Sequence, residues 1–280
     1  MPDTYEFPHD GPIEASVRIG GGDLTVIAEP TSTVSVLVAP GDGTDASRSA
    51  AAQATVDFTG DRLRVETPES GPGRFFRRSG QLRVEIRMPL DSHLRAFTGS
   101  ADVRLDGRLG SVNLHTGSGD TYVAATSGEL VVKSGSGDLV ADAVGGELRV
   151  NSGSGDVTVR RAGGPVVIVT ASGDVDIDDP RGPVTAQTAS GDVRLRAVRA
   201  GDIKANTASG DVAVGIPIGT RVWLDLNTVS GSTTTNLDMS TAPIEGGAQV
   251  TLRLNTVSGD IAVNRVTAPL EDTASPSTQD

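Results

Sequence analysis

Aspartates at a fixed spacing are the feature of this sequence that most directly suggests chemistry. Ser-Gly-Asp triplets recur along the chain, and the aspartates of successive triplets are evenly spaced. Carboxylates in glycine-rich turns are the oxygen ligands that hard cations prefer, so a stacked column of them is a candidate calcium site. The residues of that candidate column are Asp120, Asp138, Asp156, Asp174 and Asp192.

The turn chemistry favours a second interpretation of the same aspartates. Calcium-binding β-rolls repeat GGxGxD every nine residues and have acidic turns on both sides of the coil. Here each aspartate follows glycine directly, and the opposite turn changes from Glu129 and Glu147 to Pro165 and Pro183. We therefore expect the aspartates to accept hydrogen bonds from turn N–H groups and to remain solvated, without a cofactor. A calcium column stays the alternative.

The sequence shows no arrangement of residues that is typical of catalysis. The three histidines, His9, His93 and His115, lie in no metal-binding motif and beside no nucleophile signature. The spacing of His93 and His115 exceeds one repeat by four positions, so we do not expect them to stack. Glycosidases need one distinctive carboxylate pair, whereas this repeat supplies many equivalent carboxylates. The sequence therefore predicts a non-enzyme without catalytic residues.

Composition restricts the class of partner and the compartment. The 280 residues include 36 acidic and 24 basic side chains, and the net charge of −12 argues against a nucleic-acid groove. The absence of cysteine excludes disulfides, thiolate nucleophiles and cysteine-ligated zinc. The N-terminus does not resemble a secretory signal, and no run of about 18 apolar residues occurs. We predict a cytoplasmic protein; a surface location reached by an unrecognised export route stays open.

One basic-aromatic cluster interrupts this acidic sequence and is a candidate interaction loop. We expect its phenylalanines to cap the first coils of the protein while its arginines neutralise nearby aspartates, because scarce aromatic residues are usually buried. The alternative is contact with an anionic membrane or an acidic partner, with phenylalanine inserted and arginine on phosphate. The cluster consists of Arg74, Phe75, Phe76, Arg77 and Arg78.

The period of the aspartates indicates which elements position them. From Asp102 to Asp192 the spacing is constant over five successive steps, and the steps then lengthen towards Asp211, Ser232 and Asp260. A fixed period of this kind is typical of stacked repeats, which bury their apolar rows only against neighbouring copies. We expect the coils to stack in chain order.

Each repeat unit contains two apolar runs, one in each half. Val157 and Val159 alternate with polar residues in the first run, and Val166 and Ile168 do so in the second. Alternation over a few residues between glycines is the pattern of a half-buried strand. Steps of six residues give no repeating aliphatic position, which argues against a three-sided hexapeptide coil. The sequence predicts an all-β, single-domain β-solenoid with two short strands in each coil of about 18 residues.

The aliphatic residues that alternate just after each corner aspartate should therefore point inward. We expect this of Val103, Leu105, Val157, Val159, Val193 and Leu195, with the intervening Arg104, Thr158 and Arg194 outside. Small hydroxyl residues near the corner should also point inward and bond turn carbonyls or one another. These are Thr116, Ser134, Ser152, Thr170, Thr188 and Thr207.

The pattern divides the chain into five segments. The regular repeats cover 99–214, preceded by irregular coils and cap loops over 13–98 and followed by lengthened coils and a cap over 215–267. Residues 1–12 are predicted to be a flexible N-terminus, and the composition of residues 268–280 is that of a disordered acidic tail.

Irregular segments at both ends are expected to cap the solenoid. Residues 39–54 suit a loop with a short helix over the first coil, and residues 67–80 form a Pro/Gly loop. At the other end, Pro217 and Pro243 interrupt the ladders before the acidic tail. Capped ends oppose edge-to-edge growth, so we predict a monomer or a small closed oligomer and no open-ended filament.

The repeats SGSGDLVADAVGGELRV, SGSGDVTVRRAGGPVVI and SGDVDIDDPRGPVTA resemble those of the bacterial β-strand-repeat family labelled putative adhesin, a domain of unknown function. The later segments VAVGIPIGTRVWLDLNTVSG and LRLNTVSGDIAVNR are similar to the closing part of its actinobacterial members. The resemblance covers residues 13–266. It implies a β-solenoid, and it implies no reaction, because that family has no established catalytic residues.

Together these observations predict a non-enzymatic scaffold or interaction module whose partner is a protein. Two alternatives stay open: a carbohydrate-binding or adhesive surface protein, and, with less support, a polysaccharide-cleaving β-helix enzyme.

Overall fold

The computed structural model describes residues 3–67, 80–237 and 249–267 and shows a parallel β-solenoid. Its N-terminal elements are β1 (Asp3–Pro8), β2 (Glu14–Glu29), β3 (Thr33–Pro40), α1 (Asp45–Ala52), β4 (Thr55–Thr59), β5 (Arg62–Glu66), β6 (Leu82–Pro89) and β7 (His93–Leu109). The central coils comprise β8 (Val112–Ser118), β9 (Thr121–Thr126), β10 (Leu130–Ser134), β11 (Leu139–Val144), β12 (Leu148–Ser154), β13 (Val157–Ala162), β14 (Val166–Ser172), β15 (Val175–Pro180), β16 (Val184–Ser190) and β17 (Val193–Leu195). The last strands are β18 (Gly201–Ser209), β19 (Val212–Pro217), β20 (Arg221–Ser230), β21 (Thr233–Thr235), β22 (Gln249–Ser258) and β23 (Ile261–Val266).

Each central coil has two strands, as the alternation predicts. The even-numbered strands from β8 to β18 stack in parallel to form the first face, and the odd-numbered strands from β9 to β19 form the second face. In the first face, Leu130, Leu148, Val166 and Val184 are consecutive partners and are at most 1% exposed. The core is therefore a set of straight aliphatic columns between two sheets.

The inward and outward sides are also as predicted. The six positions Val103, Leu105, Val157, Val159, Val193 and Leu195 are buried, whereas Arg104 and Arg194 are exposed and Thr158 is partly exposed. The column of small hydroxyl residues lies near the corner, where each hydroxyl donates to a main-chain carbonyl. Thr116, for example, donates to the carbonyl of Ser118 over 2.9 Å.

At the Gly-Asp corner, consecutive coils approach so closely that only glycine fits. Gly155 has φ +113°, and a Cβ there would lie 2.2 Å from the carbonyl oxygen of Gly137 in the preceding coil. In the same way, a Cβ added at Gly137 would lie 2.3 Å from the carbonyl oxygen of Gly119, one coil earlier. The repeated glycine thus permits both the left-handed backbone and the inter-coil spacing.

The expectation that coils stack in chain order is wrong at the C-terminal end. Strands β22 and β23, which come last in the chain, pair with β18 and β19, and the earlier β20 and β21 form the outermost coil. The coil that contains Ser232 therefore does not follow the coil of Asp211 in the stack. The coil of Asp260 lies between them. The two coils share the Leu-Asn-Thr-Val-Ser-Gly pattern, so either one fits the next position and the local sequence does not specify the order.

The N-terminal end has the same inversion. The long strands β2 and β7 bend through both faces, and β2 lies between β7 on one side and β5 and β6 on the other. Asp23 of β2 is thereby brought into register with Asp102 of β7. The parallel stack therefore continues beyond β7 through β2 to β5 and β6.

An antiparallel cap closes this end, and it includes residues predicted to be flexible. β1 pairs with β3, which pairs with β6, and β4 pairs with β5, all antiparallel. The expectation that residues 1–12 form a flexible terminus is wrong for β1, because Tyr5 and Phe7 alternate with polar residues and pack on the core. Phe7 of β1 stacks on Phe58 of β4 with ring centroids 5.1 Å apart.

The predicted helix in residues 39–54 is present as α1. Its N-cap is Thr44, whose hydroxyl accepts the N–H of Ser47, and buried Ser47 accepts the N–H of Gln81 over 2.8 Å. α1 is short, and none of the helices within the described ranges is long and apolar enough to cross a membrane.

The corner geometry predicts a large cost for adding one methyl group at Gly155. Gly155→Ala should lower the free energy of unfolding by roughly 2–5 kcal/mol, because it combines a left-handed φ with a clash on a rigid neighbouring backbone. Gly60→Ala is the matched control: Gly60 has φ +64° and nothing within 4 Å of its added Cβ. Its cost should be about 1–2 kcal/mol. Urea denaturation measures both, and equal losses would contradict the inter-coil contact.

Candidate functional site

The aspartate column is a hydrogen-bonded ladder along one edge of the solenoid. Each carboxylate accepts the main-chain N–H of the aspartate in the next coil: Asp138 N–H, for example, donates to Asp120 Oδ1 over 2.9 Å. The bonds span 2.8–3.0 Å and end where Ser232 donates to Asp260. The column comprises Asp102, Asp120, Asp138, Asp156, Asp174, Asp192, Asp211 and Asp260.

This ladder gives each aspartate a structural role that needs no cation. One oxygen of every carboxylate is committed to a main-chain N–H, and the column faces solvent. Asp260 accepts both the N–H and the hydroxyl of Ser232, and these bonds hold the pKa of its carboxyl below the ordinary value. Within the described ranges, no group of three or more His, Asp or Glu side chains is arranged to hold a metal ion. The candidate calcium column Asp120, Asp138, Asp156, Asp174 and Asp192 forms this ladder, and the expectation that it holds no cofactor stays a prediction.

The other sequence-predicted site lies outside the described residues. The basic-aromatic loop Arg74, Phe75, Phe76, Arg77 and Arg78 falls within residues 68–79, so both expectations for it stay predictions.

A groove lies on the second face next to the N-terminal half of the aspartate column. It is open to solvent and has a volume of about 600 Å³. Outward side chains of β2, β6, β7, β9 and β11 line it because the parallel register brings corresponding positions of these strands side by side. Its polar rim includes Asp23, Arg83, Asp102, Asp120 and Asp138.

Tyr122 and Val140 are the less polar outward side chains that line this groove. The Tyr122 hydroxyl donates to Asp142 Oδ2 over 2.7 Å, and this hydrogen bond, with burial, raises the pKa of the phenol. The guanidinium of Arg104 lies over the Tyr122 ring, 4.6 Å from its centroid, and also pairs with Asp106. The ring is therefore fixed at both its hydroxyl and one face.

Negative charge on the second face is distributed unevenly along the stack. Towards the C-terminal end, Arg194 pairs with Asp174 and Asp192, and Arg196 pairs with Asp176. The hydrogen bond and charge of Asp176 raise the pKa of the Arg196 guanidinium. In contrast, Asp102, Asp120 and Asp138 make no ion pair with any arginine or lysine of the described ranges. Asp156, Asp211 and Asp260 of the column likewise make no ion pair with an arginine or lysine of the described residues, so only Asp174 and Asp192 are paired in this way.

The first face carries a different set of side chains. His115 packs against Phe97 with ring centroids 4.9 Å apart, and Arg18 lies over the Phe97 ring, 5.3 Å from its centroid. Lys133 is the partner of His115 in the next coil, and Arg95 lies nearby. Burial, followed by the charges of Lys133 and Arg95, lowers the pKa of His115.

The structure places the histidines apart, as the spacing predicts. His115 is in register with Phe97 and not with His93. His93 Nδ1 accepts the N–H of Ser111 over 2.9 Å, and His9 packs edge-on against Phe58. Each histidine thus has a packing or capping role away from the groove.

Sequence reasoning missed Asp23, Arg83, Arg104 and Tyr122 as groove residues. Asp23 had a usable signal, since Gly-Gly-Asp at 21–23 matches the Ser-Gly-Asp corner. The others gave no signal, because an outward residue of a strand acquires its neighbours only through inter-coil register.

Two substitutions of Asp120 should separate its role as a hydrogen-bond acceptor from its role as a negative charge. Asp120→Ala removes the acceptor for Asp138 N–H and should cost about 0.5–1.5 kcal/mol in the free energy of unfolding. Asp120→Asn keeps an oxygen at that position and removes one charge, so its cost should be smaller than that of alanine. Thermal unfolding in calcium-free buffer measures both; equal costs would contradict the ladder bond.

His115 should make stability depend on pH near neutrality. Because its folded pKa is lowered, the unfolded chain binds more protons as pH falls through the ordinary histidine value of about 6.5, and stability is lost there. We expect the fall in Tm between pH 7.5 and 5.5 to be smaller in His115→Gln. Lys133→Gln should also reduce the fall, because it removes one positive neighbour, whereas Lys204→Gln, farther along the same face, should not. An unchanged fall in His115→Gln would contradict this assignment.

One family of domains matches most of this chain. Residues 22–264 match the sequence model of the family described as Toastrack DUF4097. No curated protein matches the chain. The match confirms the expected likeness to a domain of unknown function; the actinobacterial type stays a prediction.

Several solved structures are similar over nearly the whole chain. A putative adhesin from Bacteroides fragilis NCTC 9343 is 13% identical, with a TM-score of 0.40 over 95% of this chain and 97% of that one. A putative lipid binding protein from Parabacteroides distasonis ATCC 8503 is 15% identical, with a TM-score of 0.41 over 95% and 96%. A putative cell adhesion protein from Clostridium sporogenes ATCC 15579 is 10% identical, with a TM-score of 0.25 over 95% and 100%.

Proposed function

We propose that this chain, which belongs to the Toastrack DUF4097 family, is a non-enzymatic interaction module that binds a basic polypeptide segment in the second-face groove. One observation carries the proposal. Along the aspartate column, the carboxylates of Asp102, Asp120 and Asp138 line an open groove without a cationic partner among the described residues.

Charge and shape both favour a basic polypeptide. Neighbouring coils in the stack are about 4.8 Å apart, so the three carboxylates form a line of negative charge that a run of lysine or arginine side chains could neutralise together. Tyr122 and Val140 offer apolar surface for the aliphatic stems of those side chains. The net charge of −12 adds long-range attraction for a cationic partner.

The arrangement of polar groups supports a binding role instead of catalysis. The carboxylates of the column are equivalent, and each holds a main-chain N–H with one oxygen. His93 and His115 are committed to a turn N–H and to Phe97, respectively, away from the groove. The residues of the groove thus bind and orient a partner without supplying an acid, a base or a nucleophile.

Carbohydrate binding at the same groove is the second candidate. A tyrosine beside several carboxylates favours it, since sugar rings pack on aromatic faces and bond to acidic oxygens. Arg104 covers one face of Tyr122, however, and so reduces the surface available for stacking. We therefore rank the basic polypeptide first and treat the sugar as an outcome of the test.

The proposed location is the cytoplasm, which the absence of cysteine permits. Cell fractionation tests this part separately. Recovery of the protein from the cell surface would favour the adhesive alternative.

Fluorescence anisotropy with a labelled oligoarginine peptide tests the groove. Asp120→Asn together with Asp138→Asn should weaken binding at least about 10-fold, because two groove charges are lost while the ladder acceptors remain. Asp211→Asn together with Asp260→Asn removes the same charge from ladder positions several coils away. This matched control should bind within about two-fold of the unaltered protein.

Equal weakening by the two variants would show attraction to net charge only and would contradict the groove. Binding of a neutral oligosaccharide that the groove variant abolishes, with no peptide binding, would replace the first candidate by the second.

A further inference from the structure

His115 lies within a cluster of cationic and aromatic side chains on the first face. It is in register with Phe97 of β7 on one side and with Lys133 of β10 on the other. Arg95 is in register with Asn113, two residues before His115, so it lies diagonally across from the histidine. These side chains point outward, because they alternate along their strands with buried residues. We call Arg95, Phe97, His115 and Lys133 the first-face cluster.

The spacing of the strands lets the charged groups of this cluster approach one another. Neighbouring strands of a sheet are about 4.8 Å apart, and residues two positions apart in one strand are separated by about 6.6 Å. Arg95 and Lys133 therefore flank His115 at main-chain distances of roughly 5–8 Å, which their long side chains can span. An anion placed over the imidazole would be within reach of both cations.

The two cations beside His115 have no anionic partner. Neither Arg95 nor Lys133 forms an ion pair with a carboxylate in the part of the chain that the structure describes. Burial, followed by the positive charges of Lys133 and Arg95, lowers the pKa of His115, and no carboxylate acts in the opposite direction. The histidine therefore lies in a locally positive field, although the net charge of the chain is −12.

The carboxylates nearby in the sheet are paired with other arginines. Arg64 of β5 pairs with Glu66 over 2.8 Å. Arg149 of β12 pairs with Glu147 over 2.7 Å and with Glu129, which precedes β10, over 3.7 Å. Positive charge therefore remains uncompensated at the first-face cluster, whereas these neighbouring arginines are neutralised within the chain.

Ring contacts restrict the orientation of the imidazole. The rings of His115 and Phe97 are 4.9 Å apart, and the guanidinium of Arg18 lies over the Phe97 ring, 5.3 Å from its centroid. Arg18 also adds a third cation to this part of the face. The positive groups are therefore concentrated around one aromatic pair.

We propose that the first-face cluster binds the phosphate group of a phosphate monoester, held by Arg95 and Lys133 over the ring of His115. A phosphate monoester carries between one and two negative charges near neutral pH, in a compact group that matches cations converging on one point. Guanidinium and ammonium groups are its usual protein ligands.

The open sheet face favours a monoester over the other anions. Side chains of a flat face contact an anion from one side only, so the ester oxygen and its organic group remain in solvent. An acidic peptide would need cations along several coils, but Arg149, two coils beyond the histidine, is already paired with glutamates. Free phosphate and an acidic peptide are therefore outcomes of the test.

Binding at this site is coupled to the protonation of His115. The groups that face His115 are Phe97 and Arg95 from β7, Lys133 from β10 and, across the Phe97 ring, Arg18 from β2. None of them is negative, so a bound phosphate group supplies the charge that favours the imidazolium form and raises the pKa of His115. The cluster lies on the opposite face from the groove, and the inference is independent of the proposed function.

NMR titration of the histidine side chains with methyl phosphate tests the site. The spectrum of His115→Gln assigns the His115 signals, and the other two histidines, His9 and His93, are internal controls. At constant ionic strength, methyl phosphate should raise the measured pKa of His115 towards or above the ordinary value of about 6.5. The titrations of His9 and His93 should not change.

Three exposed cations provide the variants and their matched control. Arg95→Gln and Lys133→Gln, each alone, should weaken methyl phosphate binding at least about 10-fold, since each removes a charge-assisted contact. Lys204→Gln removes the same charge from the same face several coils away and should bind within about two-fold of the unaltered protein. All three should keep the circular dichroism spectrum of a folded β protein.

The pH dependence of binding separates a direct role of His115 from a structural one. Relative to the unaltered protein, His115→Gln should lose more affinity for methyl phosphate at pH 6 than at pH 8, because only the imidazolium form adds a positive charge. A loss that is the same at both pH values would contradict contact between the histidine and the phosphate group.

Three further results would overturn the proposal. An unchanged His115 titration at methyl phosphate concentrations up to about 50 mM would exclude a phosphate site at this cluster. Equal weakening by Lys204→Gln would show attraction to general charge only. A response of His115 to inorganic phosphate or to an oligoglutamate peptide, without a response to methyl phosphate, would replace the monoester by the free ion or the acidic peptide.

Discussion

Close stacking of main chain at the Gly-Asp corner is the constraint on which the rest of this structure depends. Glycines with positive φ let each coil lie against the carbonyl of the preceding one, and each aspartate accepts the next coil's N–H. Together they hold successive coils in the same register. That register aligns Leu130, Leu148 and Val166 into one buried column, so core packing follows from the corner.

The same register decides what the outside of the protein can do. The inward positions are filled by core packing, so polar and charged side chains vary only at the outward positions. Because all coils have the same spacing, each outward side chain lies beside the side chains at the same position in the two neighbouring coils. The second face carries carboxylates that Arg194 and Arg196 neutralise in the coils of β15 and β17, and others that line the groove nearer the N-terminal end of the stack. The first face combines His115 with Phe97 and Lys133.

The two ends of the stack of coils have different structures. Antiparallel strands and the Phe7–Phe58 pair cover the first end, where parallel pairing stops. At the other end, β20 continues the parallel pattern with partly buried aliphatic side chains. The expected caps near Pro243 and in residues 268–280 lie outside the described residues.

The sequence by itself determined the coil: its length, its two strands, its inward valines such as Val159 and the corner role of aspartates such as Asp120. These properties are local, because alternation and glycine position act within a single coil. Only the tertiary structure decided which coils are neighbours. Strand β22 lies inside β20, and Asp23 lies beside Asp102, because coils with equivalent patterns can stack in more than one order. The groove around Tyr122 could not be predicted for the same reason, since its residues meet only once that order is set.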